Sequence, residues 1–182
     1  MTSGEDRKYT DLRDEALLSL IREKNRSDLY KIIYNRYYPR VLDKCYSLLH
    51  NKSLSQEFAE DILTKAFENL KGFRGNASFS SWLYAITYNH CIDYLRKKKK
   101  LHYPEWNSRQ DLPEIIDESE TDYTDLDYER LMKILDMIHT EEKALLLMKY
   151  QDNISIRDIS TALRVTESAA KMRIKRARAR VL

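Results

Sequence analysis

The sequence contains little cysteine, proline or glycine, and these shortages limit the kinds of protein that it can encode. Its two cysteines, Cys45 and Cys91, lack the Cys-x-x-Cys spacing of a zinc or redox site. We therefore expect two reduced thiols in a core, with no disulfide and no metal site. Three glycines and three prolines leave few positions that interrupt a helix. No run alternates with a period of two residues for long enough to predict a sheet.

A long apolar run is also missing. No segment approaches the roughly 20 consecutive apolar residues that a membrane-spanning helix requires. The first ten residues, MTSGEDRKYT, are too polar for a secretory signal peptide. These two features predict a cytoplasmic protein that does not insert into a membrane.

The sequence shows no signature of catalysis. It has neither a glycine-rich phosphate loop nor a Ser-His-Asp arrangement, and its four histidines are scattered. A helical hydrolase would have to use carboxylates such as Glu57, Glu60 and Asp61, and no histidine joins these at ligand spacing. We predict a protein that is not an enzyme and that requires no cofactor.

Charge is abundant, and it is segregated along the chain. Residues 1–100 carry 19 basic and 13 acidic side chains, a net charge of +6. Residues 101–129 carry one basic and 10 acidic side chains, and residues 130–182 carry 12 basic and 6 acidic ones. Two basic modules joined by an acidic connector indicate contact with a polyanion at both ends of the chain.

Apolar residues recur at helical spacing on both sides of the connector, so we predict an all-α fold of two helical modules. The first module, residues 13–100, is predicted to be a four-helix bundle, with helices near 14–23, 27–49, 55–70 and 80–100. Phe67 is predicted to lie in the buried stripe of the third helix, and Ser78 or Ser80 is predicted to cap the fourth. In the second module, residues 128–182, Thr140 is the predicted cap of a helix that runs to about Tyr150, with Glu141 and Glu142 in its first turn. This module ends in a helix-turn-helix. A disordered tail over residues 1–12 and a flexible acidic linker over residues 101–127 complete the predicted organisation.

The last segment, SIRDISTALRVTESAAKMRIKRARARVL, has two short helices joined by a tight turn. Ser155 and Thr166 are the predicted caps, and Arg164 occupies the turn position that often holds glycine. The predicted buried stripe of the second helix consists of Ala170, Ile174, Ala177 and Val181. The opposite face carries Ser168, Lys171, Lys175 and Arg178. A solvated basic helix end remains an alternative, but the spacing of the two helices favours DNA contact.

A second basic segment, SSWLYAITYNHCIDYLRKKKK, runs from aromatic residues into consecutive cations. On a helix, Tyr84 and Tyr88 share one side, whereas Trp82, Ile86 and Asn89 lie on another. Such a surface suits melted nucleic acid, because rings stack on unpaired bases while cations hold phosphates. On this segment alone, core aromatics beside solvated lysines are the favoured interpretation.

Three segments, taken in order, resemble bacterial RNA polymerase sigma factors of the extracytoplasmic-function group in the sigma-70 superfamily. LYKIIYNRYYPRVL and AEDILTKAFENLKGFRGNASFSSWLYAITYNHCIDYLRKKKK resemble the sigma-two domain, and ISIRDISTALRVTESAAKMRIKRARARVL resembles the sigma-four domain. The resemblance implies a dissociable initiation factor that binds core RNA polymerase, directs it to promoters and captures melted −10 bases. It also implies contacts with the β′ clamp, the β flap, promoter DNA and an anti-sigma factor.

The resemblance assigns roles to individual residues. Those expected to bind core polymerase are Asp61, Lys65 and Glu68. Those expected at the −10 element are Phe73, Asn76, Tyr84, Ile86, Asn89, Arg96 and Lys97. Those expected at the −35 element are Ser168, Lys171, Met172, Arg173, Lys175, Arg176 and Arg178.

An alternative function is that of a helix-turn-helix repressor or activator with residues 1–100 as a sensor domain. This alternative would leave the aromatic and basic helix over residues 80–100 without a role.

Overall fold

The structure, a computed structural model, describes residues 9–98 and 128–181. All regular structure within these residues is helical, which confirms the predicted all-α fold. The predicted linker, most of the predicted tail and Leu182 lie outside the described residues. The chain divides into two compact units, Met1–Cys91 and Ile92–Leu182.

The first unit contains three helices and most of a fourth. They are α1 (Asp14–Glu23), α2 (Tyr30–Leu49), α3 (Lys52–Glu68) and α4 (Phe79–Lys98), whose last turns belong to the second unit. Short 3-10 turns, Ser27–Leu29 and Leu70–Gly72, precede α2 and follow α3. The bounds of α1 agree with the prediction.

The start of α3 differs from the prediction because its cap lies earlier in the chain. The side chain of Asn51 accepts a hydrogen bond from the Leu54 amide at 2.9 Å, so the helix begins at Lys52 rather than at Ser55. An asparagine at this position satisfies one of the amides that a helix leaves without an intrahelical partner. Of the two serines predicted as the cap of α4, Ser78 is the one whose hydroxyl accepts from the Ser81 amide, at 3.1 Å.

The core of the first unit is built from one apolar side of each helix. Buried side chains include Leu17, Leu18, Ile33, Val41, Ile62, Leu63, Leu83 and Tyr88. Burying each large apolar side chain contributes roughly 1.5–3 kcal/mol, which stabilises the bundle against the entropy of the unfolded chain. Residues 9–12, which were assigned to the disordered tail, are held against this bundle. Arg36 donates to the backbone oxygens of Thr10 and Leu12 at 3.0 and 3.1 Å.

Cys45 on α2 and Cys91 on α4 are remote in sequence, but they meet inside this core. Both thiols are buried, which confirms their predicted core position. A hydrogen bond between the two side chains, together with burial, raises the pKa of the Cys91 thiol well above its ordinary value. Because the thiolate is the reactive form of cysteine, this surrounding keeps Cys91 chemically inert.

The second unit holds the last turns of α4, a short helical pair and the helix-turn-helix. Its further helices are α5 (Tyr128–Met137), α6 (Thr140–Leu146), α7 (Ile156–Leu163) and α8 (Glu167–Val181). A single helix was predicted from Thr140 to about Tyr150. The α-helix instead ends at Leu146 and continues as a π-helical turn, Leu147–Gln151.

Two of the three predicted caps in this unit are confirmed. The amides of Asp158 and Ala169 each donate at 3.1 Å to the hydroxyls of Ser155 and Thr166. The assignment of Thr140 as a cap is wrong, because Thr140 is already helical. The ring of His139 accepts from the Glu141 amide at 3.3 Å instead. A neutral imidazole nitrogen can act as this acceptor, although histidine is not a favoured cap residue.

The turn of the helix-turn-helix has the predicted backbone. Arg164 adopts a left-handed conformation with φ 55° and ψ 46°, at a cost of roughly 1 kcal/mol for a residue with a Cβ atom. The apolar face of α7 supplies Ile159 and Leu163, and α8 supplies Ala170, Ile174 and Ala177. These buried residues pack α8 against α7, and the opposite side of α8 is exposed to solvent.

Candidate nucleic-acid interfaces

The loop between α3 and α4 rests on a cluster of aromatic rings. Phe73 begins the loop, and its ring centroid lies 5.6 Å from that of Phe79 and 5.4 Å from that of Trp82. Arg22 of α1 donates from Nη1 to the carbonyl oxygen of Phe73 at 3.0 Å. Phe73 is itself buried, so it supports the loop from beneath. Residues 74–76 of the loop are exposed.

One face of α4 combines this aromatic cluster with an amide. Trp82, Ile86 and Asn89 follow at helical spacing, and all three are half-buried. The Oδ1 atom of Asn89 is buried, and among the described residues it finds no hydrogen-bond donor. A buried acceptor without a donor costs about 1–3 kcal/mol. A ligand that donates a hydrogen bond at this position would remove that cost.

Tyr84 lies on the opposite side of α4 and does not share this face. It is buried, its ring centroid is 6.2 Å from that of Tyr37, and Lys44 Nζ lies 4.2 Å from its centroid. Ile86 and Asn89 therefore lie on the same face of α4 as Trp82, whose ring contacts Phe73. Tyr84 lies in the core instead. Trp82 lies on this face but was not among the residues expected at the −10 element. Its spacing of four residues from Ile86 and seven from Asn89 was the available signal.

The other residues predicted at the −10 element are placed around this face. Asn76 is exposed in the loop, and Lys97 is exposed near the end of α4. Arg96 Nη1 lies 3.7 Å from Asp93 of the same helix, and its Nη2 lies 2.5 Å from Glu141 Oε1 within the second unit. Arg96 is thus engaged by two carboxylates.

The residues predicted to bind polymerase lie on the outer side of α3. Lys65 Nζ is 2.5 Å from Asp61 Oδ2, His90 Nε2 is 3.5 Å from the same oxygen, and Glu68 is exposed one turn further along. Phe67 was predicted to lie in the buried stripe of this helix, but it is 37% exposed. Its ring rests on Tyr30 at 4.6 Å between centroids, which adds an apolar patch to the charged surface.

The predicted −35 residues of α8 fall into two groups. Ser168, Lys171, Met172 and Lys175 are exposed on the side opposite the buried stripe. Arg176 and Arg178 are half-buried. Arg173 is turned toward α6, where its Nη1 lies 2.8 Å from Glu141 Oε1. The exposed group is therefore the part of α8 that is accessible to a DNA groove.

The burial of two consecutive carboxylates of α6 was not predicted from the sequence. Glu141 and Glu142 were placed in the first turn of a helix, where acidic residues normally face solvent, but both are fully buried. Arg180 Nε lies 3.3 Å from Glu142 Oε1. Burial raises the pKa of the Glu142 carboxyl, and the positive charge of Arg180 opposes that shift.

Metal binding and membrane insertion were considered for the described residues. Over residues 9–98 and 128–181, no group of three histidine, cysteine, aspartate or glutamate side chains is arranged to hold a metal ion. None of the helices in these ranges combines the length and apolar character that crossing a membrane demands.

Known protein families match this chain in two segments. The family model for Sigma-70 region 2 matches residues 33–101, and the model for Sigma-70 region 4 matches residues 128–181. The ECF RNA polymerase sigma factor SigW of Bacillus subtilis is 26% identical over 166 residues, covering 86% of this chain and 88% of SigW. The RNA polymerase sigma factor YlaC of the same organism is 24% identical over 153 residues, covering 83% of this chain and 88% of YlaC.

Two solved structures share the fold. One is the sigma factor RpoE in complex with the anti-sigma factor NepR from Bartonella quintana, with a TM-score of 0.57, 20% identity and coverage of 84% of this chain and 93% of RpoE. The other is CnrH in complex with the cytosolic domain of CnrY, with a TM-score of 0.58, 17% identity and coverage of 92% and 94%. The two family models together span more than half of the sequence, and the chain belongs to the sigma-70 family, in its extracytoplasmic-function group of transcription initiation factors.

Proposed function

We propose that this chain binds core RNA polymerase, brings it to promoters through contacts at two elements, and captures melted bases at the −10 element. The main support for this proposal is that one chain has two surfaces suited to two forms of DNA. An exposed basic face on α8 suits duplex DNA, and an aromatic face with an unsatisfied buried amide on α4 suits an unpaired base. Polymerase supplies the catalysis, since none of these residues forms a nucleophile or general-base arrangement.

At the −10 element the chain traps a base that thermal motion has exposed. Trp82 and Ile86 supply apolar walls beside Asn89, whose buried oxygen accepts a hydrogen bond from an exocyclic amino group of the base. Stacking returns about 1–3 kcal/mol per base, which is comparable with the cost of unpairing one. Lys97 and the following lysines attract the adjacent phosphates, and Asn76 approaches the base from the loop.

At the −35 element α8 enters the major groove. Ser168, Lys171, Met172 and Lys175 form the exposed row and are the residues nearest to base edges. Lysine can donate to guanine acceptors, and methionine contacts the thymine methyl group. Arg176 and Arg178 flank this row and contact phosphates, which position the helix without reading sequence.

The outer side of α3 is the proposed docking surface for the β′ clamp, and the second unit is proposed to contact the β flap. Asp61, Lys65 and Glu68 supply charges that select the partner, and Phe67 supplies apolar area. RpoE was solved with the anti-sigma factor NepR, and CnrH was solved with the cytosolic domain of CnrY. We propose a regulator of the anti-sigma type for this chain as well.

The docking surface is tested by capture of core polymerase. The tagged full chain should retain core polymerase from a purified preparation, and Asp61→Arg should weaken this capture by about tenfold or more, because reversing a charge places like charges opposite each other. Asp61 is 44% exposed, so the change should leave folding intact. Glu23→Arg, at the exposed end of α1, is the matched control and should bind normally. A chain that binds promoter duplex but never core polymerase would instead be a repressor or activator.

A further inference from the structure

The basic residues of α8 divide into those that face outward and those that face acid within the second unit. Lys171 and Lys175 are exposed. Arg173 and Arg180 are seven residues apart and so lie on one side of the helix, two turns from each other. Arg173 Nη1 is 2.8 Å from Glu141 Oε1, and Arg180 Nε is 3.3 Å from Glu142 Oε1. Both arginines therefore meet the first turn of α6.

Moving Arg173 away from Glu141 would cost free energy, because the two side chains form an ion pair. The Glu141 side chain is fully buried, and its Oε1 atom lies within 2.8 Å of Arg173 and 2.5 Å of Arg96. A buried carboxylate is tolerated when cations and hydrogen bonds compensate for its lost hydration. If Arg173 turned to a DNA phosphate, Glu141 would keep only one of its two cations. Arg173 is itself only 23% exposed, which also limits its reach.

We propose that Arg173 is a positioning residue for the −35 helix and does not contact DNA. Together with Glu141 it fixes α8 on α6, at the angle that presents Lys171, Met172 and Lys175 to the groove. This inference rests on the proposed role of α8 at the −35 element. It changes the expectation drawn from the resemblance, in which Arg173 was one of the residues that contact the −35 element.

The test uses holoenzyme assembled from core polymerase and full-length variants of this chain. Promoter affinity is measured as a function of salt, and thermal unfolding is measured on each free variant. A lost phosphate contact flattens the plot of log affinity against log salt by about 0.9 units. Arg178→Ala, the matched control on the same helix, should show this change with an unaltered melting temperature.

Arg173→Ala should behave differently from the control. It should lower the melting temperature by on the order of 5–10 °C, because it leaves Glu141 undercompensated. It should also lower promoter affinity by about tenfold, while the salt slope keeps its wild-type value. The double variant Glu141→Leu, Arg173→Met removes both charges and keeps apolar volume, so it should restore the melting temperature and bring affinity to within about threefold of wild type.

Arg96 remains close to Asp93, at 3.7 Å, in the double variant. A salt slope flattened by Arg173→Ala as it is by Arg178→Ala, with no recovery in the double variant, would show that Arg173 binds phosphate and would overturn the inference. Wild-type holoenzyme without promoter affinity would contradict the proposed function itself. The restored melting temperature of the double variant does not depend on promoter binding, so the two failures are distinguishable.

Discussion

Replacing Phe79 with alanine should lower the free energy of unfolding of the first unit by about 3–5 kcal/mol. Phe79 is 1% exposed, and its ring meets those of Tyr37, Phe73 and Trp82 at centroid distances of 5.3, 5.6 and 5.6 Å. The substitution removes apolar area and leaves a cavity that three large rings cannot fill by small movements. Urea-induced unfolding, followed by helical circular dichroism, measures the loss.

Phe67→Ala is the matched control for this prediction. Phe67 is 37% exposed and contacts the ring of Tyr30 at one edge of the bundle. The same truncation should therefore cost much less there, about 1 kcal/mol. Equal losses for the two variants would mean that the cluster beneath the loop does not stabilise the unit. Phe67→Ala should still weaken capture of polymerase, since it removes the apolar patch of the docking surface.

Asn89→Ala should reduce promoter opening by about 5- to 150-fold and relax the preference for one base of the −10 element. This range corresponds to about 1–3 kcal/mol for a good paired contact to a base edge. The Oδ1 atom of Asn89 is the acceptor that is buried and unsatisfied among the described residues of α4, so its removal should not destabilise the folded chain. Fluorescence of 2-aminopurine within the promoter measures opening.

A promoter that is already unpaired at the −10 element separates capture of the base from melting. On this template Asn89→Ala should recover part of its activity, because the cost of unpairing has been met, but the base preference should remain relaxed. Binding to core polymerase should be unchanged, since Asp61 and Lys65 lie on α3. If Asn89→Ala unfolds the first unit instead, Asn89 is a structural amide and the proposed pocket is wrong.

Local signals in the sequence were sufficient to predict most helices. The bounds of α1 follow from its amphipathic pattern, and the caps Ser78, Ser155 and Thr166 follow from the preference of hydroxyl side chains for helix starts. The left-handed Arg164 follows from the tight turn of a helix-turn-helix. The start of α3 was missed because Asn51 was not considered as a cap, although asparagine is among the favoured residues.

Features that depend on packing between helices could not be predicted from local sequence signals. A helical wheel places Phe67 beside Ala66 and Leu63, and only the position of the neighbouring helices determines that its ring is partly exposed. Tyr84 and Tyr88 have the composition of a stacking surface, but contacts with Tyr37 and Lys44 place both in the core. Glu141 illustrates the same limit, because burial of a charged residue in a first helical turn contradicts the usual expectation.

Transcription in vitro, with core polymerase and this chain on a library of genomic fragments, is the most direct measurement of whether the chain directs initiation. Start sites should appear only when the chain is added, and they should share two conserved elements upstream. Lys171→Ala and Asn89→Ala should relax base preference in the −35 and −10 elements respectively, each without affecting the other. Start sites that are identical with and without the chain would contradict its function as a sigma factor. Substitutions that leave the base preference of both elements unchanged would contradict it as well.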